Sequence, residues 1–153
     1  RFSEEVERWR TVVTDSVTYM ELCARKLHQY SLNPHAKDPR QWFGGSTDAL
    51  EEMLMIRFGA LPVNVVVCAH IDEDKDELHG YMVRHPSAPG RLRKRGPAAF
   101  SEVYRCHVGK DDKGQRVHLM QTQADTLWAA ASQIDAPNPC LNRYAALWLN
   151  WKE

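Results

Sequence analysis

At 153 residues the chain has room for one domain with a real core, and its 43% hydrophobic and 26% charged residues are ordinary for a globular protein. That balance excludes disorder as the dominant state, and a formal net charge of zero excludes any argument from bulk charge for nucleic-acid or membrane attraction. No run approaches the roughly 18 to 20 apolar residues that span a bilayer, and the start has no signal-peptide pattern, so a cytoplasmic protein with no membrane partner is expected.

The chain opens on Arg1. A large basic residue in second place would leave an initiator methionine attached, so the sequence reads as a trimmed or incomplete piece. "SEEVERWR" predicts a short helix with Ser3 as its cap. "TVVTD", residues 11 to 15, has four β-branched residues and no charge before Asp15, which predicts a buried strand. From Ser16 to about Tyr30 the spacing of Val17, Met20, Leu22, Cys23 and Leu27 predicts an amphipathic helix.

"SLNPHAKDPRQWFGG" carries Pro34, Pro39 and the Gly44–Gly45 pair, and reads as an irregular loop with Trp42 and Phe43 at its tip. A second helix is predicted from about Thr47, with Leu50, Met53, Leu54 and Ile56 on or near its buried face, ending at Pro62. "VNVVVCAHI" is the strongest strand pattern, apolar on both faces as in the middle of a parallel sheet. Pairing it in parallel with residues 11 to 15 across the helices makes the core α/β.

About 30 residues without periodicity follow, "DEDKDELHGYMVRHPSAPGRLRKRGPAAF", and a loop that long in a compact domain is usually functional or mobile. "SEVYRCHVG" and "RVHLMQTQ" predict a hairpin across "KDDKGQ". The tail from Asp125 predicts a short helix, a Pro-rich link and an aromatic helix. The domain reading is a core over 1–125 and a helical tail over 126–153. Cys23, Cys68, Cys106 and Cys140 are far apart with no C-x-x-C pair, and read as reduced core thiols of an intracellular protein.

Asp15 is the first residue that can carry chemistry. A carboxylate at the carboxyl end of a parallel strand sits where open α/β sheets bind ligands, and can orient a magnesium-bound water beside phosphates. The same position suits a helix N-cap, and both readings stand. His70 ends the second strand at the same edge, either as a sensor of a terminal phosphate or as a core histidine with one satisfied nitrogen.

Arg91, Arg93, Lys94 and Arg95 are close enough to meet consecutive phosphates, or form a solvated charged loop. Trp42 and Phe43 can stack on bases or anchor their loop. His70, Asp72, His79 and His85 fit no standard zinc spacing.

Taken in order, "WRTVVTDSVT", "LPVNVVVCAHIDEDKDE", "PSAPGRL" and "EVYRCHVGKDDKGQRVHLMQTQ" resemble the phage-encoded RecA-like ATPases, a P-loop family that includes single-strand annealing recombinases. The resemblance implies a RecA-like core with a mainly parallel sheet and a C-terminal antiparallel hairpin. It implies ATP and Mg2+ as cofactors, with Asp15 as the Walker B carboxylate assisted by Ser16, and His70 as the sensor. Single-stranded DNA would meet two loops at about 31–46 and 72–97, which hold Trp42, Phe43 and the basic cluster.

The sequence departs from that pattern in having no G-x-x-x-x-G-K-[ST]: "GGSTD" lacks the lysine and "GKDDKG" has Asp in place of the hydroxyl. The Walker A strand and helix and the catalytic glutamate would then lie upstream of Arg1, and the chain by itself would be inactive as an ATPase. The alternative is a degenerate, nucleotide-free module. On either reading an apolar sheet edge and face is left for a second copy or a partner chain.

Overall fold

The computed structural model describes residues 9–125, 127–134 and 136–142. The chain divides into two compact units, Arg1–Asp72 with Pro86–Ala99, and Glu73–His85 with Phe100–Glu153.

In the first unit β1 (Thr11–Asp15) pairs in parallel with β2 (Asn64–Cys68), Val13 facing Val66 and Asp15 facing Cys68. Between them run α1 (Val17–Leu27), continued as a π-helical stretch over His28–Leu32, and α2 (Arg40–Glu51), continued in the same way over Glu52–Arg57. A short helix, α3 (Leu92–Arg95), leads into a 3-10 turn over Gly96–Ala99. Each helix contributes to one core of Val17, Leu50, Leu54 and Leu92, with Met20, Ala24, Phe58, Val67 and Ala88 packed against it. On α1 the inward residues Val17, Met20 and Ala24 recur at helical spacing, and Arg25 and Lys26 in its last turn suit the negative end of the helix dipole.

The second unit holds two sheets. β3 (Ile71–Lys75) pairs with β4 (Met82–Pro86). Separately, β5 (Arg105–Lys110) and β6 (Arg116–Gln121) form an antiparallel hairpin, extended by β7 (Cys140–Leu141) on β6. Trp128 is buried, with the guanidiniums of Arg105 and Arg84 at 4.0 and 5.2 Å from its ring centre.

This corrects the expected fold. The parallel pair and the β5–β6 hairpin form, but among the described residues there is no single, mainly parallel RecA-like sheet; the strands fall into three separate small sheets of two, two and three strands. The parallel pairing stops at two strands among the described residues, and the remaining strands pair with near neighbours along the chain. β2 is consequently not a sheet interior; Val66 is 46% exposed and its partner Val13 61%.

Three local expectations also change. The segment predicted as a loop to residue 46 is helical from Arg40, because Pro39 sits at the helix start, where a missing N–H costs nothing, and the Asp38 carboxylate accepts the Arg40 N–H at 2.9 Å. Gly45 lies inside that helix because His28 packs on it; a Cβ there would meet the imidazole at 2.6 Å.

The supposed long loop contains β3 and β4, held by Glu73–Arg84 and by Asp74 with the buried His85 at 2.8 Å. The short helix expected after Asp125 is replaced, among the described residues, by isolated bridges at Trp128 and Ala131. The helices expected at the start of the chain and in the aromatic tail fall at 3–10 and 143–153, largely or wholly outside the described residues. No disulfide links the four cysteines, yet only Cys140 is a buried thiol, since Cys23 and Cys106 are exposed and Cys68 is half-buried. No helix among the described residues is long and apolar enough to cross a membrane.

Candidate functional site

The carboxyl ends of β1 and β2 lie side by side because the strands run in parallel register, Asp15 opposite Cys68. Asp15 is exposed, and its carboxylate makes no hydrogen bond or ion pair among the described residues. It does not cap α1. The cap position belongs to Ser16, whose side chain makes no capping bond. Ser16 is 3% exposed with an unpartnered Oγ, and its carbonyl accepts the N–H groups of Tyr19 and Met20, each at 3.1 Å. Of the two readings of Asp15, the capping one is therefore not realised.

His70 is exposed as well and is no core histidine. Its ring meets Tyr19 edge-on at 5.6 Å. Its backbone is fixed on both sides: the N–H donates to Thr18 Oγ1 at 3.2 Å, and the carbonyl accepts the Ser87 N–H at 2.8 Å. Thr18 Oγ1 in turn donates to the Ser87 carbonyl at 2.9 Å. One hydroxyl on the first turn of α1 thus ties the segment after β2 to the segment before α3. Sequence reading missed Thr18 and Ser87, since a tie across 69 positions leaves no local pattern.

The basic cluster is divided by its partners. Arg91 grips Glu51 with two hydrogen bonds of 2.5 Å and reaches Asp48 at 3.5 Å, so α2 already neutralises it. Leu92 is buried and Arg93 half-buried, while Lys94 and Arg95 are exposed. The hydrogen bond from Arg91, more than the charge of Arg91 or Arg95, holds the Glu51 carboxyl below its ordinary 4.5, against the opposing effect of burial.

A depressed carboxyl pKa contributes stability that is present above the unfolded value and lost as pH falls through the folded one. The thermal midpoint of Arg91→Ala is accordingly expected to lie below the unsubstituted protein's at neutral pH. That gap should close once the pH falls well below 4.5, as calorimetry across pH would show.

Trp42 and Phe43 also part company. The Trp42 indole N–H donates to the Asn33 carbonyl at 2.9 Å, which makes it an anchor between α2 and the segment before it. Phe43 is 45% exposed, with the Arg25 guanidinium 5.0 Å from its ring centre, and is the one of the pair open to stacking.

The four residues weighed as metal ligands do not assemble: among the described residues no group of three His, Cys, Asp or Glu side chains could hold an ion. A magnesium ion carried by a nucleotide asks less of the protein, one or two carboxylates with water and phosphate completing the octahedron. On the metal side Asp15 offers one open carboxylate, while the unpartnered Ser16 hydroxyl is shut away from solvent. The phosphate side is not met among the described residues. "GKDDKG" is the β5–β6 turn, with the Asp111 carboxylate accepting the N–H groups of Lys113 and Gln115, and "GGSTD" lies within α2.

A cleft of about 290 Å³ in the second unit, lined by Thr122, Gln123, Ser132 and Ile134 among others, has no titratable side chain among the described residues that line it. Comparison of the chain with protein-family models, curated proteins and solved structures finds no match.

Proposed function

We propose that the first unit supplies the carboxylate side of a magnesium–ATP site in a cytoplasmic protein of a phage-infected bacterium, acting on single-stranded DNA in recombination or annealing. The observation that carries this reading is Asp15: an exposed carboxylate at the end of a parallel strand, capping nothing and bonded to nothing among the described residues. A structural acid would have a donor; a magnesium-orienting one keeps its oxygens open for a bound water. His70, fixed by its backbone at the same sheet end, keeps its ring open toward a terminal phosphate. The phosphate cradle comes from a further polypeptide segment or a partner chain.

Lys94 and Arg95 give the single-stranded DNA its phosphate contacts, and Phe43 a stacking face. Each cation removed from a single-strand contact makes the plot of log affinity against log salt shallower by about 0.7, so Lys94→Gln with Arg95→Gln is expected to flatten it by about 1.4. Fluorescence anisotropy of a labelled oligothymidine over a salt series checks this, and an unchanged slope removes these residues from the interface.

A second reading rests on Val13 and Val66. They face each other across β1–β2 and are both exposed, whereas parallel sheets are ordinarily covered on both faces. A nucleotide-free module that assembles through this face, with a second copy or a partner chain, would have a solution mass above 17.6 kDa and no affinity for ATP.

A further inference from the structure

The outer face of β5–β6 carries a charge arrangement that the hairpin itself does not balance. Lys110 and Arg116 stand directly opposite each other in the last pair before the turn, and both are exposed. Neither side chain has an ion pair or hydrogen bond among the described residues. Like charges directly opposite on one sheet face repel, where a carboxylate in either position would attract.

The turn adds the exposed Lys113. Of its two carboxylates, Asp111 is taken up by the N–H groups of Lys113 and Gln115 at 2.9 and 2.8 Å, which leaves the exposed Asp112 as the opposing charge. The next pair on the same face is Val108 opposite His118, both exposed. Side chains two positions apart lie about 6.6 to 6.8 Å along a strand, so the cations adjoin the exposed Val108–His118 pair.

We infer that this face of β5–β6 is a second contact for single-stranded nucleic acid. Lys110 and Arg116 clamp a backbone phosphate from two strands, and His118 with Val108 lies under the neighbouring base. The alternation of cation and aromatic or apolar surface is what a single strand presents in complement, phosphate then base; an acidic protein segment would engage the cations alone. This rests on the single-strand part of the function proposed above and is independent of its ATP part.

The test is oligothymidine binding by the full chain over a salt series at about pH 8. Lys110→Gln with Arg116→Gln should weaken binding and flatten the salt slope by about 1.4. Lys110→Arg with Arg116→Lys should preserve both, which separates loss of charge from loss of fold. His118→Ala should weaken binding with the slope unchanged.

Unaltered affinity and slope in the Gln pair would overturn the inference while leaving the single-strand reading intact, provided Lys94→Gln with Arg95→Gln still weakens binding. No binding by the unsubstituted chain would overturn both. If the Gln pair lost polyglutamate as fully as oligothymidine, with His118→Ala silent on each, the ligand would be an acidic protein and the nucleic-acid inference would fall.

Discussion

Leu92→Ala is expected to destabilise the first unit by about 2 to 5 kcal/mol, the range for emptying a well-packed leucine site. Leu92 is 1% exposed and belongs to the four-residue core with Val17, Leu50 and Leu54. It is the buried apolar contact of α3, which is also tied to α2 through the Arg91 bonds to Glu51. Loss of the leucine should therefore do two things together: lower the urea midpoint, and speed tryptic cleavage at the basic turn. A loss under about 1 kcal/mol, the scale of a surface substitution, would mean that α3 is not docked on this core.

Asp15→Asn is expected to weaken magnesium-dependent ATP binding by about 10- to 100-fold, the scale seen when a group that orients a metal's surroundings is lost. The substitution keeps the shape of the side chain and removes its charge. Because Asp15 caps nothing and pairs with nothing among the described residues, the fold should be indifferent to it, with stability within about 0.5 kcal/mol of the unsubstituted protein. A structural Asp15 would show the reverse pattern, with stability lost and nucleotide binding unmoved.

What the sequence disclosed and what it hid follow one physical division. β1, β2 and the β5–β6 hairpin were legible because β-branched runs and a Gly-containing turn act locally. The start of α2 was not, because Pro39 and the Gly44–Gly45 pair are strong loop signals in the abstract. Here the proline occupies a tolerated terminal position and Gly45 makes room for His28.

The β3–β4 pairing was hidden for another reason. It is held by Glu73–Arg84 and Asp74–His85, and charged pairs leave no hydrophobic period to read. The expected wide parallel sheet came from extending one real parallel pair into strands that instead fold back on near neighbours.

The candidate site divides in the same way. His70, expected to end the second strand, lies two positions past its last residue, Cys68, whereas Asp15 could be placed at the end of β1 from the length of its β-branched run. Their setting could not: whether Asp15 caps α1 depends on one cap geometry, and the Thr18 tie spans 52 positions to His70 and 69 to Ser87. Arg91 looked equivalent to Arg95 in the sequence, but Glu51 and Asp48, some forty positions earlier, single it out. Lys110 and Arg116 are likewise unremarkable until register sets them face to face.

The measurement that tests the central claim most directly is equilibrium binding of a fluorescent ATP to the protein purified from its source, with magnesium and with a chelator, beside the Asp15→Asn variant. Saturable binding that needs magnesium and falls with loss of the Asp15 charge is the predicted result. Binding that ignores both magnesium and Asp15, or no binding at all, would contradict the nucleotide reading and leave the exposed Val13–Val66 face as the feature to explain.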